Sequence, residues 1–293
     1  MTVDVPTPRA LVLDAERRFL EADLYYGHGT DNARDEAVYL VFQALGLAFD
    51  APEAVLDRPV GDAAAARVES LVARRIAERL PAAYLTRRMW FAGHEFYVDE
   101  RVLVPRSPIA ELILEDFAPW IDAAAVARIL DIGTGSGCIA IAAALQFPGV
   151  HVDATDVSTD ALAVAAHNVE RHGLGARVAL HRADLFPAED LPYDVILANP
   201  PYVPRDEMAT LPAEYMHEPE LALAAGNDGL ALVGRILVEA ARHLRPGGIL
   251  IMDTGATWPA VEAAFPELPF IWVELAHGGE GILVLHREDL PRG

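Results

Sequence analysis

The 293-residue chain contains no lysine; all 23 of its Lys and Arg positions are arginine. That excludes Schiff-base chemistry through a lysine amine and the lysine-dependent phosphate loop. There is 1 cysteine, Cys138, so no internal disulfide can form and a cysteine-based zinc site is not expected. Cys138 stands at an apolar helix start and reads as packing, not as a nucleophile. No stretch approaches the roughly 18 consecutive apolar residues of a membrane span. Met1-Thr2-Val3-Asp4-Val5 lacks the basic start and apolar core of a signal peptide. The expectation is a cytoplasmic protein with no membrane partner. Positive charge is also scarce: the formal net charge is −21. Holding nucleic acid through its phosphates needs a basic surface, which this composition disfavours. A basic protein partner suits the charge, although acidity also serves solubility alone.

At 53% hydrophobic residues the chain can bury one large domain and a smaller one. The pattern changes near residue 85. Before it the signals are helical. Thr7-Pro8 reads as an N-cap followed by proline in the first turn. Leu11, Val12, Ala15, Phe19 and Leu20 then recur at helical spacing, as do Ala37, Val38, Val41, Phe42 and Leu45. A third stretch places Val68, Leu71, Val72, Ile76 and Leu80 on one face, with Arg67, Arg74, Arg75 and Arg79 among the remaining positions, and Pro81 ends it. The expected unit, 1–85, is a small helical domain. Tyr25 to Asn32, with Gly27 and Gly29, reads as an inter-helix connection, with a partner-binding loop as the alternative. Met89 to Val104 is rich in aromatic and β-branched residues around Gly93 and predicts a β-hairpin linker over 86–105.

From Arg128 strands and helices alternate. Arg128–Ile132, Val150–Thr155, Val178–His181, Tyr193–Ala198 and Ile249–Met252 predict five strands separated by helical stretches. Pro246-Gly247-Gly248 predicts the end of the helix before the fifth. Phe270–Leu275 and Ile282–Leu285 predict a closing hairpin. The fold class that follows is α/β: a doubly wound, mostly parallel sheet over 106–293 with a C-terminal antiparallel hairpin.

In such a sheet ligands bind at the carboxyl ends of the strands. Gly133-Thr134-Gly135-Ser136-Gly137 follows the first strand. Its spacing is not the dinucleotide pattern Gly-x-Gly-x-x-Gly, and it lacks the Gly-Lys pair of a nucleotide loop. Alone it could serve NAD, a nucleoside triphosphate or S-adenosylmethionine. Asp156, before Val157, ends the second strand, where a carboxylate can accept ribose hydroxyls. Asp184-Leu185-Phe186 follows the third, where an acid can take a base amine and an apolar side chain can cover the ring. Asn199-Pro200-Pro201-Tyr202 follows the fourth. Two prolines stop that strand and stiffen the loop. They leave the Asn199 side-chain carbonyl, the Pro200 carbonyl and an aromatic ring for a planar group bearing an NH2. Each acid alone is more often a cap, and a proline pair is more often a turn. Asp131, Asp156, Asp184 and Asn199 at four successive strand ends point to one cleft.

These residues carry a resemblance. Asp131 to Gly137, Asp156, Asp184 and the Asn-Pro-Pro-Tyr tetrapeptide resemble a class I S-adenosylmethionine-dependent methyltransferase with a Rossmann-like domain, and within that class the protein-(glutamine-N5) methyltransferases. Tyr25 to Ala37, Trp90 to Pro108 and Tyr215 to Leu230 resemble the branch that methylates large-subunit ribosomal protein L-three, and Ser107-Pro108 after Pro105-Arg106 departs from the release-factor branch. The resemblance implies S-adenosylmethionine bound by Asp131, Gly133, Thr134, Gly135, Ser136, Gly137, Asp156, Val157, Asp184, Leu185 and Asn199. It implies a glutamine amide held by Asn199, Pro200, Pro201 and Tyr202, with Asn199, Pro200 and Tyr202 in catalytic roles. The helical region precedes the glycine loop and contributes none of the four strand-end polar residues, so it is expected to recognise the protein substrate and not the cofactor. No metal and no sequence-specific nucleic acid are expected. Arg106 and Glu218 read equally well as part of a peptide groove or as a structural ion pair.

Overall fold

The computed structural model describes residues 5–189, 191–224, 226 and 230–291. The chain start read above for its lack of a leader, and residues 225 and 227–229 of the Tyr215–Leu230 stretch, lie outside the described residues. The chain forms two compact units, one of Met1–Met89 with Pro212–His217 and the other of Trp90–Leu211 with Glu218–Gly293.

The first unit contains α1 (Pro8–Glu21), α2 (Ala33–Leu45), α3 (Glu53–Leu56), α4 (Asp62–Glu78) and α5 (Ala82–Thr86). Thr7 caps α1, its hydroxyl oxygen accepting the Ala10 N–H at 3.2 Å. Asn32 caps α2 through the Asp35 N–H at 2.9 Å. Val12, Ala15 and Phe19 of α1, Ala37, Leu40 and Val41 of α2, and Val68 and Val72 of α4 are buried. Arg75 departs from the polar face that the periodicity of α4 predicts: it is only 1% exposed. Its guanidinium donates to Glu36 Oε1 at 2.6 Å, Glu214 Oε1 at 3.1 Å and the Tyr25 carbonyl at 2.9 Å. A guanidinium tolerates burial when its fork is matched by acceptors in this way. Glu214 lies in the short 3-10 turn Ala213–His217, and its Oε1 also accepts the Tyr25 N–H at 3.1 Å. The Tyr25–Asn32 connection is therefore built over a buried charge cluster.

The second unit opens on a short hairpin, β1 (Met89–Phe91) and β2 (His94–Phe96), whose first residue counts with the first unit. The predicted hairpin to Val104 ends here at Phe96. Beyond it the backbone bonds a side chain: Asn168 Oδ1 accepts the Tyr97 N–H at 2.8 Å, and its amide donates to the Tyr97 carbonyl at 2.9 Å. The sheet consists of β3 (Arg128–Ile132), β4 (His151–Asp156), β5 (Val178–Arg182), β6 (Tyr193–Ala198), β7 (Leu244–Asp253), β8 (Ile271–Trp272) and β9 (Ile282–His286). Its order is β5-β4-β3-β6-β7-β9-β8. Pairs from β5 to β7 are parallel, and β9 is antiparallel to β7 and β8. β7 begins before Pro246-Gly247-Gly248, not after it, because Leu244 pairs with Tyr193 and the register slips before Ile249 meets Val195.

Strand residues alternate between two cores, as period-2 geometry requires of a sheet covered on both faces. Ile129, Val195, Leu197, Ile249 and Ile251 pack with α6 (Ile109–Leu114) and α7 (Cys138–Gln146). Leu130, Ile132, Ile196, Leu250 and Met252 pack with Val233, Ile236 and Leu237 of the helix Ala231–His243 and with Val261 of the helix Trp258–Ala264. Between these layers in the chain come α8 (Thr159–Arg171), capped by Ser158 through the Ala161 N–H, α9 (Arg205–Met208), α10 (Glu220–Leu223), α11 (Ala231–His243) and α12 (Trp258–Ala264). Among the described residues no helix is long and apolar enough to cross a membrane.

Candidate active site

The strand order reverses between β3 and β6, and a cleft of about 380 Å³ opens at the carboxyl ends of these strands. Gly133, Thr134, Gly135 and Ser136 line it from the loop after β3, and Asp156 and Val157 from the end of β4. Asp184 and Leu185 line it beyond β5, and Asn199, Pro200 and Pro201 beyond β6. Three predicted residues are not on its wall. Asp131 is wholly buried in β3. Gly137 caps α7, where a Cβ would press on the Ala165 Cβ at 3.2 Å. Tyr202, the last residue of the tetrapeptide, packs its ring against Gly255.

The glycine-loop half of the cleft suits a cationic, ribose-bearing ligand. A Cβ at Gly133 or Gly135 would meet no protein atom within 4 Å, so the ligand can approach bare backbone there. The Gly133 and Thr134 N–H groups both donate to the Thr155 carbonyl at 2.9 Å, which fixes the loop on β4. Asp156 is held by the Gly135 N–H on Oδ2 at 3.0 Å and the Ser158 N–H on Oδ1 at 2.8 Å. Each oxygen keeps a second lone pair for a ribose hydroxyl. Asp131 Oδ2 accepts the Thr134 hydroxyl at 2.6 Å and the Ala140 N–H at 3.1 Å, while Oδ1 is buried with no hydrogen-bond partner. Burial pushes this carboxyl up to about 7 against those two bonds. An unmatched buried carboxylate oxygen favours a ligand that brings a positive charge. These features fit S-adenosylmethionine. Asp184 differs from the other strand-end groups: its side chain is 63% exposed and forms a two-bonded pair with Arg235 at 3.1 and 3.0 Å. Cys138 also lines the cleft, and burial pushes its thiol up to about 12, which leaves it protonated and unreactive.

The other half is polar but tightly tied. Arg106 forms a two-bonded pair with Glu218 at 2.6 and 2.8 Å, and Glu218 Oε1 also accepts the Val104 N–H at 2.9 Å. Of the two readings of these residues, the observed geometry is the ion pair; it fastens the 104–107 segment, whose Pro105, Arg106 and Ser107 reach the cleft wall. The Ser107 hydroxyl donates to Asp253 Oδ2 at 2.7 Å, and Asp253 Oδ1 accepts the Gly255 N–H at 3.0 Å. A Cβ at Gly255 would lie 2.7 Å from the Tyr202 ring, so only glycine leaves that ring its seat. Burial, then the nearby Asp253 carboxylate, push the Tyr202 phenol up to about 12.

Arg101, Leu103, Ser107, Leu221 and Leu232 line the cleft without having been singled out in the sequence as site residues. Arg101 is bonded to Asp99 at 2.9 and 2.6 Å. Burial opposes ionisation of Asp99, but hydrogen bonds from Arg101 and Tyr97 outweigh it and bring the carboxyl down to about 2. The signal available for Arg101 is a charged residue at Asp99-Glu100-Arg101, inside a run otherwise read as strand.

Residues 110–226 match the family described as "Methyltransferase small domain". A "Ribosomal protein uL3 glutamine methyltransferase" of Bordetella pertussis (strain Tohama I) is 51% identical over 291 residues, covering 98% of this chain and 97% of that protein. Proteins of the same name from Burkholderia pseudomallei (strain K96243) and Neisseria gonorrhoeae (strain FA 1090) are 48% and 46% identical, each over 98% of this chain and 97% and 96% of their own lengths. With a class I methyltransferase sheet, a cleft at its switch point and this likeness along nearly its whole length, the chain belongs to the ribosomal protein uL3 glutamine methyltransferase family.

Proposed function

We propose that this protein methylates the side-chain amide nitrogen of a glutamine in ribosomal protein uL3, the protein called L-three above. The observation that carries the reading is the meeting of Asn199 and Pro200 with the glycine loop in one cleft. S-adenosylmethionine, when bound, supplies a methyl group on a positively charged sulfur. Gly133 to Ser136, Asp156, Val157, Asp184 and Leu185 would hold it, with Asp156 on the ribose and with Asp131 and Gly137 supporting the loop from behind the wall.

An amide nitrogen is a poor nucleophile because its lone pair is delocalised into the carbonyl. Acceptance of its two N–H groups by Asn199 Oδ1 and the Pro200 carbonyl orients the amide and stabilises positive charge growing on nitrogen. Pro200 and Pro201 hold both acceptors in place before substrate arrives, so positioning supplies much of the rate. Tyr202 closes the tetrapeptide, and its seat against Gly255 keeps the ring from swinging away. The net charge of −21 suits a basic ribosomal protein. We assign the first unit to recognition of that protein and the reaction to the cytoplasm. The test is incubation with labelled S-adenosylmethionine and, separately, uL3, a release factor and duplex DNA. Label on a uL3 glutamine supports the reading. Label on the release factor alone moves the substrate to the other branch, and label on DNA alone overturns a protein substrate.

A further inference from the structure

Ser107, like Thr134 on the glycine-loop side, lines the cleft with its hydroxyl hydrogen already committed. It points to Asp253 Oδ2 at 2.7 Å, and Asp253 Oδ1 is fixed by the Gly255 N–H at 3.0 Å. The serine is 6% and the aspartate 3% exposed, so bulk water does not compete for this bond. A hydroxyl whose hydrogen is taken offers only lone pairs elsewhere. One receives the Ile109 N–H at a long 3.3 Å, and the other remains available where Ser107 borders the cleft beside Pro105 and Arg106.

We infer that Ser107 is a substrate-binding acceptor for a main-chain N–H of the peptide that carries the target glutamine, and that Asp253 is the positioning residue that keeps it an acceptor. This rests on the glutamine reading above, in which Asn199 and Pro200 occupy both N–H groups of the side-chain amide. A third acceptor on the Pro105–Ser107 side of the cleft can then receive a main-chain N–H of the peptide, a donor the side-chain amide no longer has free. It favours a polypeptide over any ligand that offers nothing more than a planar amine.

The polarity is reversible. Because the Gly255 N–H claims Oδ1, a proton on Asp253 must sit on Oδ2 and donate to Ser107, which turns the serine hydrogen toward the cleft. Burial raises this carboxyl to about 6, against the opposing effects of Ser107, the Gly255 N–H and Arg106. The charged and titratable groups facing it are Arg106, itself paired with Glu218, and the Tyr202 phenol, which stays protonated. Acceptor character is therefore present above about pH 6 and lost as pH falls through it.

The experiment compares wild type, Ser107→Thr, Ser107→Ala and Asp253→Asn by the pH dependence of KM and kcat for uL3, with calorimetry of S-adenosylmethionine binding as the check on folding. In Asp253→Asn the Gly255 N–H again selects the amide oxygen, so the NH2 faces Ser107 and polarity is inverted at every pH. Ser107→Ala and Asp253→Asn are expected to raise KM for uL3 about three- to tenfold at neutral pH with kcat little changed, the loss of one neutral hydrogen bond. In wild type and Ser107→Thr, KM should rise by a similar factor on acidification; in the other two it should be flat. An acid rise in KM that persists in Ser107→Ala would overturn the inference. A second readout needs no protein substrate: the infrared carbonyl band of a protonated carboxyl should appear as pH falls through about 6 and be missing in Asp253→Asn. Absence of any band sensitive to that substitution would refute the switch even if uL3 proved to be the wrong substrate, whereas failure of uL3 methylation with the band present would fault only the substrate.

Discussion

Replacing Asp156 with alanine is expected to weaken S-adenosylmethionine binding while leaving the protein folded. Both carboxylate oxygens are engaged by backbone donors, Gly135 N–H at 3.0 Å and Ser158 N–H at 2.8 Å, so the side chain is oriented before any ligand arrives. Hydrogen bonds from ribose hydroxyls to an ionised acceptor are worth about 1.5–3 kcal/mol. The dissociation constant should accordingly rise about ten- to hundredfold. Asp184 supplies the contrast. Its carboxylate is largely solvated and already shared with Arg235, an exposed pair of the kind worth about 0–1 kcal/mol. Asp184→Ala should therefore change affinity by less than about fivefold. Isothermal titration calorimetry with far-ultraviolet circular dichroism measures both. Unchanged affinity in a folded Asp156→Ala protein would refute the ribose assignment, and an Asp184→Ala defect as large as that of Asp156→Ala would refute the ranking of the two acids.

Asn199→Ala should lower turnover at least about a hundredfold, by analogy with removing one preorganised group at a reacting centre, with cofactor affinity retained; near-normal methylation would take the tetrapeptide out of the mechanism. Gly255→Ala puts a methyl 2.7 Å from the Tyr202 ring. Because a shift of about 1 Å near a reacting group can cost about a hundredfold, methylation should fall steeply, and an unchanged rate would show that the ring position is unimportant. Arg75→Ala removes the cation paired with buried Glu36 and leaves Glu214 with Arg79 alone, and should destabilise the first unit by about 3–5 kcal/mol in urea unfolding; a loss under about 1 kcal/mol would mean that water replaces the guanidinium easily. Raising salt should increase KM for uL3 but not the dissociation constant of S-adenosylmethionine, since exposed charges are screened over about 8 Å at physiological ionic strength; a salt-independent KM would remove charge from the recognition.

Much of the sheet is legible in the sequence because parallel strands buried on both faces are written as apolar runs, as in Tyr193–Ala198. The cleft is legible because each strand ends in a polar residue: Asp156, Asp184 and Asn199 are found by counting along the chain. What is not legible is buried polarity satisfied from far away. Arg75 looks like one more solvated arginine of α4, since its partner Glu214 lies 139 positions later. Asn168 looks like a polar residue on α8, yet its amide also bonds the Ser136 carbonyl at 2.9 Å, so one side chain replaces the strand expected after Phe96 and braces the glycine loop. Ser107 and Asp253 are separated by 146 positions and carry no local signature of pairing. Helical and strand periodicity report which face a residue occupies, not which distant group has been folded against it.

The hexapeptide Pro212–His217 belongs to the first unit although the chain on either side of it, including Asn199 to Tyr202 and Glu218, belongs to the second. Neither unit is therefore a continuous piece of gene. A chimera that exchanges only residues 1–89 between two relatives would ask the incoming Arg75 to recognise a resident Glu214, and any relative with a different acid placement would leave a charge buried without its mate. Exchange of substrate preference between such enzymes must move two segments at once, and a deletion of the first 89 residues is never a clean test of the remaining chain, because it strips Glu214 of the guanidinium that was holding it.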